Sequence, residues 1–385
     1  MRRSTDRILT THVGSLPRPP ALLEAMRNGK QGSVEYETEL SRAVTEVVKK
    51  QVDLGIDVVD DGEFSKPGFR IYADQRLSGY EARRMPRVSV WSGSREALAF
   101  PEFYEPEMKA QAGALDRLYD QLTCTGPVAY KGQELVARDI RNLKAAAEAA
   151  GAAEAFMPSI SPADIAGAQK NEYYASDDEF LFAVADAMHE EYKAIADAGI
   201  ILQIDDPHLT SHYLKNPEMS MAECQVWAEK QVEAINHALR GIPEDRVRYH
   251  TCYGINMGPR VHEMDLGDIL DIVLKVNAGA YSFEAANPRH EHEWVLWEGS
   301  RLPDGKAIIP GVITHSSVVV EHPELIAQRI VRFASLVGRE NVIAGGDCGF
   351  GTQASATPEV HPTIVWAKFE AMGKGAALAT KQLWG

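Results

Sequence analysis

The sequence predicts an α/β fold, a closed (β/α)8 barrel with an inserted hairpin or lid near residues 80–119. Three observations point there. Short apolar, β-branched runs alternate with longer segments of helical spacing. Eight such runs occur, and most finish in a charged or metal-capable residue. Repeated strand-then-helix order implies a parallel sheet with right-handed crossovers, and eight units are the number that closes a barrel. A barrel with insertions absorbs 385 residues, so residues 1–385 are read as one domain.

In chain order, the strands are expected at 7–15 (RILTTHVGS), 56–64 (IDVVDDGEF), 121–128 (QLTCTGPV), 200–207 (IILQIDDP), 246–254 (RVRYHTCYG), 280–286 (AYSFEAA), 307–316 (AIIPGVITHS) and 341–349 (NVIAGGDCG). A ninth run, AFMPSISP at 155–162, suits a loop as well as a strand because of its prolines. Helices are expected at 35–55, ending on Gly55, and at 177–199, opening on acidic residues and ending on Gly199. The segments 220–241 and 322–338 follow the same pattern. Residues 80–119 break it: they are rich in Arg, Pro, Glu and aromatics, with one alternating run, VSVW.

A formal net charge of −15 repels phosphate backbones, which excludes nucleic acid as a partner. No run of about 18 apolar residues exists for a membrane span. The opening MRRSTDRILTTHVGS has arginines but no apolar core, so no secretory signal is read. With no such signal, the four cysteines are expected to be reduced thiols in a cytoplasmic protein. A homo-oligomer is compatible with these features.

The strand ends carry the chemistry. They present Asp60, Asp61 and Glu63; Asp205 and Asp206; His250 and Cys252; Glu284; His315; and Asp347 with Cys348. In barrels, the C-terminal strand ends form the active face. Residues i and i+2 of a strand share a face, so His250 and Cys252 can share one ion. Cys348 and Glu284, at the ends of neighbouring strands, are the natural further ligands, and two Cys, one His and one Glu suit Zn2+ over magnesium or calcium. The competing reading makes Cys252 and Cys348 small buried hydrophobes, the role expected of Cys124 and Cys224. His290 and His292, in RHEHEW, read as the solvated start of a helix.

A series of motifs in fixed order, TTHVGSLPRP, DVVDDGEF, TGPV, QIDDP, HTCYG, SFEAANP, PGVITHS and GGDCGFGT, resembles the catalytic C-terminal domain of cobalamin-independent methionine synthases. The resemblance implies a TIM barrel and a zinc ion that activates a thiol for alkylation. It puts His250, Cys252, Glu284 and Cys348 on ligand positions, and Ser15 and Glu63 on positions that hold the amino-acid part of homocysteine. Asp205 and Asp206 fall on the substrate-binding acid pair, where the long enzymes have Glu in place of Asp206. His315 falls on the position proposed to protonate the leaving group, and an acid such as Asp205 or Asp206 is expected to hold it.

The methyl or alkyl donor is left open among methyltetrahydrofolate, methylcobalamin and an epoxide. An amine leaving group calls for an acid such as His315, and Glu284 is expected to be the ligand most easily displaced. The same family resemblance covers enzymes that alkylate coenzyme M with an epoxide. Two other classes stay open: a zinc-free decarboxylase of the uroporphyrinogen type, and a non-catalytic corrinoid- or metal-binding protein. The Cys252–Cys348 pair argues against the first, and the acids and histidines at strand ends argue against the second.

Overall fold

The computed structural model describes residues 1–385 except 86–88, 90, 107–118, 255–256, 352 and 355–359. Its strands, in chain order, are β1 (Leu9–Thr10), β2 (Val58–Val59), β3 (Leu77–Met85), β4 (Tyr119–Tyr130), β5 (Glu154–Ile160), β6 (Lys170–Asn171), β7 (Ile201–Asp205), β8 (Val247–His250), β9 (Ala280–Phe283), β10 (Ala307–Ile313) and β11 (Ile343–Gly346). Eight of them form one sheet in the order β1-β11-β10-β9-β8-β7-β5-β2, with every adjacent pair parallel. The sheet closes on itself through a parallel bridge between Thr11 and Val58. This is the (β/α)8 TIM barrel that the alternation of elements predicts.

One strand assignment changes. The run at 121–128 is not a barrel strand. It lies in β4, which pairs antiparallel with β3 and, at Thr123 and Cys124, parallel with β6 in a separate three-stranded sheet. Its barrel place is taken by the proline-bearing run at 155–162, which forms β5. Pro158 is tolerated because β2 pairs only with Glu154 and Ala155, so the proline lies beyond the end of that ladder.

The helices follow their sequence signals. Ser33 caps Val34–Asp53 by accepting from Tyr36 N at 3.2 Å. Ser176 caps Asp177–Asp197, and Ser220 with Glu223 forms a capping box on Met221–Ala238. Their apolar faces, including Leu40, Val48, Val184, Met188, Ala228 and Ile235, are buried against the barrel. Among the described residues, no helix is long and apolar enough to cross a membrane.

The insertion begins as the β3–β4 pair, in the segment that follows barrel strand β2. Two of the four residues of the expected VSVW run, 88 and 90, lie outside the described residues. The root of the pair is ionic. Arg76 donates to Glu191 at 2.9 Å and to Asp139 at 2.6 Å, and Tyr130 donates to Glu191 at 2.6 Å. Ser159 of β5 completes the set, donating to Glu191 at 2.8 Å. Arg76→Met leaves buried Glu191 without its cation and Asp139 with Arg138 alone. It is expected to lower the unfolding free energy by about 3–5 kcal/mol, read as a reduced urea midpoint. A shift below about 1 kcal/mol would be that of an exposed pair and would show that the root does not carry this load.

Candidate metal centre and acceptor pocket

The floor of the barrel interior is polar. Arg248, two residues before His250 and on the same face of β8, donates to Gln203 at 2.6 Å, Thr11 Oγ1 at 2.8 Å and His12 O at 2.7 Å. Burial pushes its pKa down to about 9, against the pull of Asp205 and Asp60. Above this floor, the strand ends bring their polar residues together.

His250, Cys252 and Cys348 converge, with ligand atoms all within 4.8 Å of one another. The two sulfur atoms are 3.3 Å apart. His250 Nδ1 pairs with Ser282 Oγ at 3.0 Å, while Nε2 is buried with no partner. Burial, with the Arg248 charge, holds this imidazole near a pKa of about 3, so it is a neutral donor with a free lone pair. The thiol of Cys252 is pushed well up by its bond to Cys348 and by burial. A divalent cation would replace both thiol protons and satisfy the orphaned nitrogen. The donor set therefore fits zinc, with Ser282 fixing the ring as an outer partner.

Glu284, the fourth expected ligand, falls in a second group of possible donors. It groups with His315 and Asp347. Its Oε1 accepts from Tyr253 N at 3.0 Å, and its Oε2 from Arg260 Nη2 at 2.6 Å and Asn287 Nδ2 at 2.8 Å. Asp347 accepts from Ala285 N and Ala286 N, both at 2.8 Å, and from Asn287 at 2.9 Å. It reaches this position because Gly311 has no side chain: a Cβ there would meet Asp347 Oδ1 at 1.9 Å. His315 is fully buried, and neither ring nitrogen has a partner among the described residues. Burial lowers its pKa to about 4, opposed by the charge of Asp347. The carboxylate beside His315 is thus Asp347, not Asp205 or Asp206.

The other predicted residues divide. Ser15 Oγ accepts from Gly351 N at 3.3 Å, and its carbonyl accepts from Phe350 N at 2.8 Å, which ties β1 to the loop after Cys348. Glu63 is buried in a left-handed backbone, φ 56°, a conformation that a non-glycine residue holds only when its surroundings enforce it. Asp205 accepts from Gln203 at 2.6 Å, and burial beside Glu63 raises its pKa well above the usual range. Asp206 has a structural role: it caps the helix Pro207–Lys215, accepting from Leu209 N at 3.1 Å, and its second oxygen accepts from Tyr249 OH at 3.0 Å.

Two neighbours escaped the sequence reading. Lys66, three residues after Glu63 in GEFSK, is buried, 3.8 Å from Glu63, and donates to Pro158 O at 2.6 Å. Arg260, in GPRVHE, holds Glu284. His290 is not solvated: it is buried between Glu263 at 3.1 Å and Glu293 at 2.9 Å. His292 is exposed as expected.

Comparison with known proteins agrees with this fold. A family model described as the catalytic domain of cobalamin-independent synthase matches residues 8–157 and 162–365. A methionine synthase of Saccharolobus solfataricus is 25% identical over 382 residues, covering 97% of this chain and 95% of that one. A 5-methyltetrahydropteroyltriglutamate–homocysteine methyltransferase of Thermotoga petrophila is 23% identical, covering 89% of this chain and 41% of the longer enzyme. The structure of a B12-independent methionine synthase from a Shewanella species, solved with selenomethionine, superposes with a TM-score of 0.72 at 20% identity. It covers 98% of this chain and 99% of that one. The expectation of methylcobalamin as a donor is withdrawn, because the matched family is described as cobalamin-independent.

Proposed function

The chain belongs to the family of cobalamin-independent synthase catalytic domains, and on that premise we propose that it transfers a methyl group from a reduced folate to the thiol of homocysteine, with zinc held by His250, Cys252 and Cys348. On this reading, residues 1–385 act as one catalytic domain. The observation that carries it is the convergence of one neutral imidazole and two thiols, with buried Asp205 paired across from His250 and buried Glu63 close to Asp205.

Zinc, when bound, keeps the acceptor sulfur deprotonated at neutral pH, where a free thiol of pKa about 8.5 is mostly protonated. Glu63 and Asp205 supply negative charge for the amino group of the acceptor. Burial and the charge of Glu63 raise the pKa of Asp205 in spite of Lys66 and Arg248, and an ammonium group set against the two acids would oppose that rise. Ser15 holds the strand-end loops that frame this pocket. Burial keeps the His315 ring neutral in the empty site, so its role as the acid that protonates the departing folate nitrogen requires that it take up a proton first, a form that the Asp347 carboxylate beside it favours. The zinc-free decarboxylase alternative has no use for this donor set.

A second reading draws on Lys66. Its buried ammonium suits an acceptor thiol with a negative end, of the coenzyme M kind, alkylated by an epoxide. Glu63→Gln separates the two. For homocysteine, the variant is expected to raise KM about 10- to 100-fold, the worth of one hydrogen bond to a charged group. For a sulfonate thiol, the KM should stay level or fall. An unchanged KM for homocysteine would count against it as the acceptor. The direct test crosses a panel of thiols with methyltetrahydrofolate and an epoxide, alongside metal analysis. About one zinc per chain with turnover of homocysteine supports the proposal, and turnover only with an anionic thiol and an epoxide replaces it with the second reading.

A further inference from the structure

Ser15 and Glu63 stand on different loops of the barrel rim, and one side chain joins those loops to a third. In the run SLPRPP, Arg18 lies between two prolines. The proline that follows disfavours helical backbone at Arg18, and the helix Pro20–Arg27 starts beyond it. The side chain is buried, with 7% of its surface exposed. Among the described residues it forms no ion pair, and its donors go to backbone carbonyls instead. Nη2 donates to Glu63 O at 2.8 Å and to Lys66 O at 2.7 Å, and Nη1 donates to Gly351 O. A guanidinium can do this because its donors are fixed in a planar fork, which an ammonium lacks. Burial draws its pKa down, against the charges of Glu63, Tyr36 and Asp61.

The three carbonyls belong to the loops after β2 and β11, and Arg18 itself to the loop after β1. The loop after β2 is the one that needs holding. Gly62 and Glu63 are successive left-handed residues, with φ 68° and 56°, a conformation that costs glutamate more than glycine. The turn closes when Lys66 N donates to Glu63 O at 3.0 Å, and Arg18 Nη2 bonds the carbonyls at both ends of that turn. Leu16 N, which donates to Gly62 O at 3.1 Å, and Phe350 N, which donates to Ser15 O at 2.8 Å, fasten the same loops to one another. Resting on the acceptor reading above, we propose that Arg18 is a positioning residue for the acceptor. By joining three rim loops through their carbonyls, it holds Glu63 and Ser15 in one fixed relation, so that they grip the amino-acid end of the thiol as a unit. Arg18 touches neither acceptor nor donor in this role and acts through the backbone of Glu63, Lys66 and Gly351.

The test uses the full zinc-loaded chain as wild type, Arg18→Met, Arg18→Lys, Glu63→Gln and the Arg18→Met/Glu63→Gln double variant. Homocysteine binding is read by titration calorimetry, turnover by steady-state kinetics, and the Glu63 turn by amide hydrogen exchange over residues 62–66. Arg18→Met is expected to raise the homocysteine Kd about 10- to 100-fold, as much as Glu63→Gln does. The loss should fall on KM and spare kcat, because only the grip on the acceptor is loosened. The amides of residues 62–66 should exchange faster in the same variant. Arg18→Lys, which keeps the charge but reaches fewer carbonyls, should fall between. In the Glu63→Gln background, Arg18→Met should add little, because the carboxylate it positions is already gone. An Arg18→Met variant with wild-type affinity for homocysteine overturns the proposal, as does a loss that multiplies in full with that of Glu63→Gln. Should Arg18→Met fail to fold by circular dichroism, Arg18→Lys carries the comparison, and wild-type affinity and exchange there overturn the proposal as well. A wild type that binds no homocysteine is a different failure: it removes the acceptor reading itself, and the proposal with it.

Discussion

Cys252→Ser and Cys348→Ser are each expected to lose the metal and all measurable methyl transfer while the barrel stays folded. The sulfur atoms stand 3.3 Å apart, buried, with His250 Nε2 free beside them. A serine hydroxyl does not ionise to replace a thiolate, so each variant leaves two ligands where a stable zinc site needs three or four. The fold does not depend on them. The core runs through Leu202, Ile204, Tyr249, Ile308, Val312 and Ala344, an apolar cluster that includes neither cysteine of the pair, unlike a small domain that folds only around its ion. Metal content per chain and far-ultraviolet circular dichroism check the two halves of this expectation. A full zinc complement in either variant would mean that the ligand assignment is wrong.

The second large effect is expected at His315. If its ring protonates the leaving group, His315→Asn should slow transfer from methyltetrahydrofolate by about 10²–10⁴-fold, the usual share of a general acid. An opening epoxide would lose much of the same factor, since its alkoxide also needs a proton. A methyl sulfonium, which departs as a neutral thioether, should be nearly indifferent. Zinc content should stay normal, because His315 stands with Glu284 and Asp347 and not with the cysteines. Single-turnover alkylation of homocysteine by donors of graded leaving-group basicity makes the comparison. Equal losses for every donor would mean that the ring positions substrate and moves no proton.

Most of the barrel was legible because its signals are local. Strand runs ending in Asp205, His250, Glu284, His315 and Asp347 mark the C-terminal rim of the barrel, and capping serines mark the helices behind it. The misplaced strand shows where local reading stops. QLTCTGPV and AFMPSISP are both short and apolar, and only tertiary pairing says which one joins the barrel. The site divides in the same way. His250 and Cys252 share a face by strand period alone, and Cys348 falls on the matching strand end. The partners of Glu284 and His315 were not legible, because Arg260 and Asp347 reach them across loops and through the space left by Gly311. Asp206 looked like a substrate ligand because it follows Asp205, yet one step along the chain turns its side chain to the helix it caps.

The ionic root of the insertion has a consequence for how that arm can change. Apolar contact tolerates sliding, since any close arrangement of methyl groups will do. Arg76, Asp139, Glu191, Tyr130 and Ser159 instead form a keyed joint, in which every donor atom has a set acceptor and a shift of an ångström breaks the pairing of a buried charge. The arm beyond the joint is then free to vary in length and sequence without losing its bearing on the rim. A graft of a foreign arm onto this barrel would have to carry the arginine and the tyrosine with it, because Glu191 and Asp139 belong to helices of the barrel and stay behind.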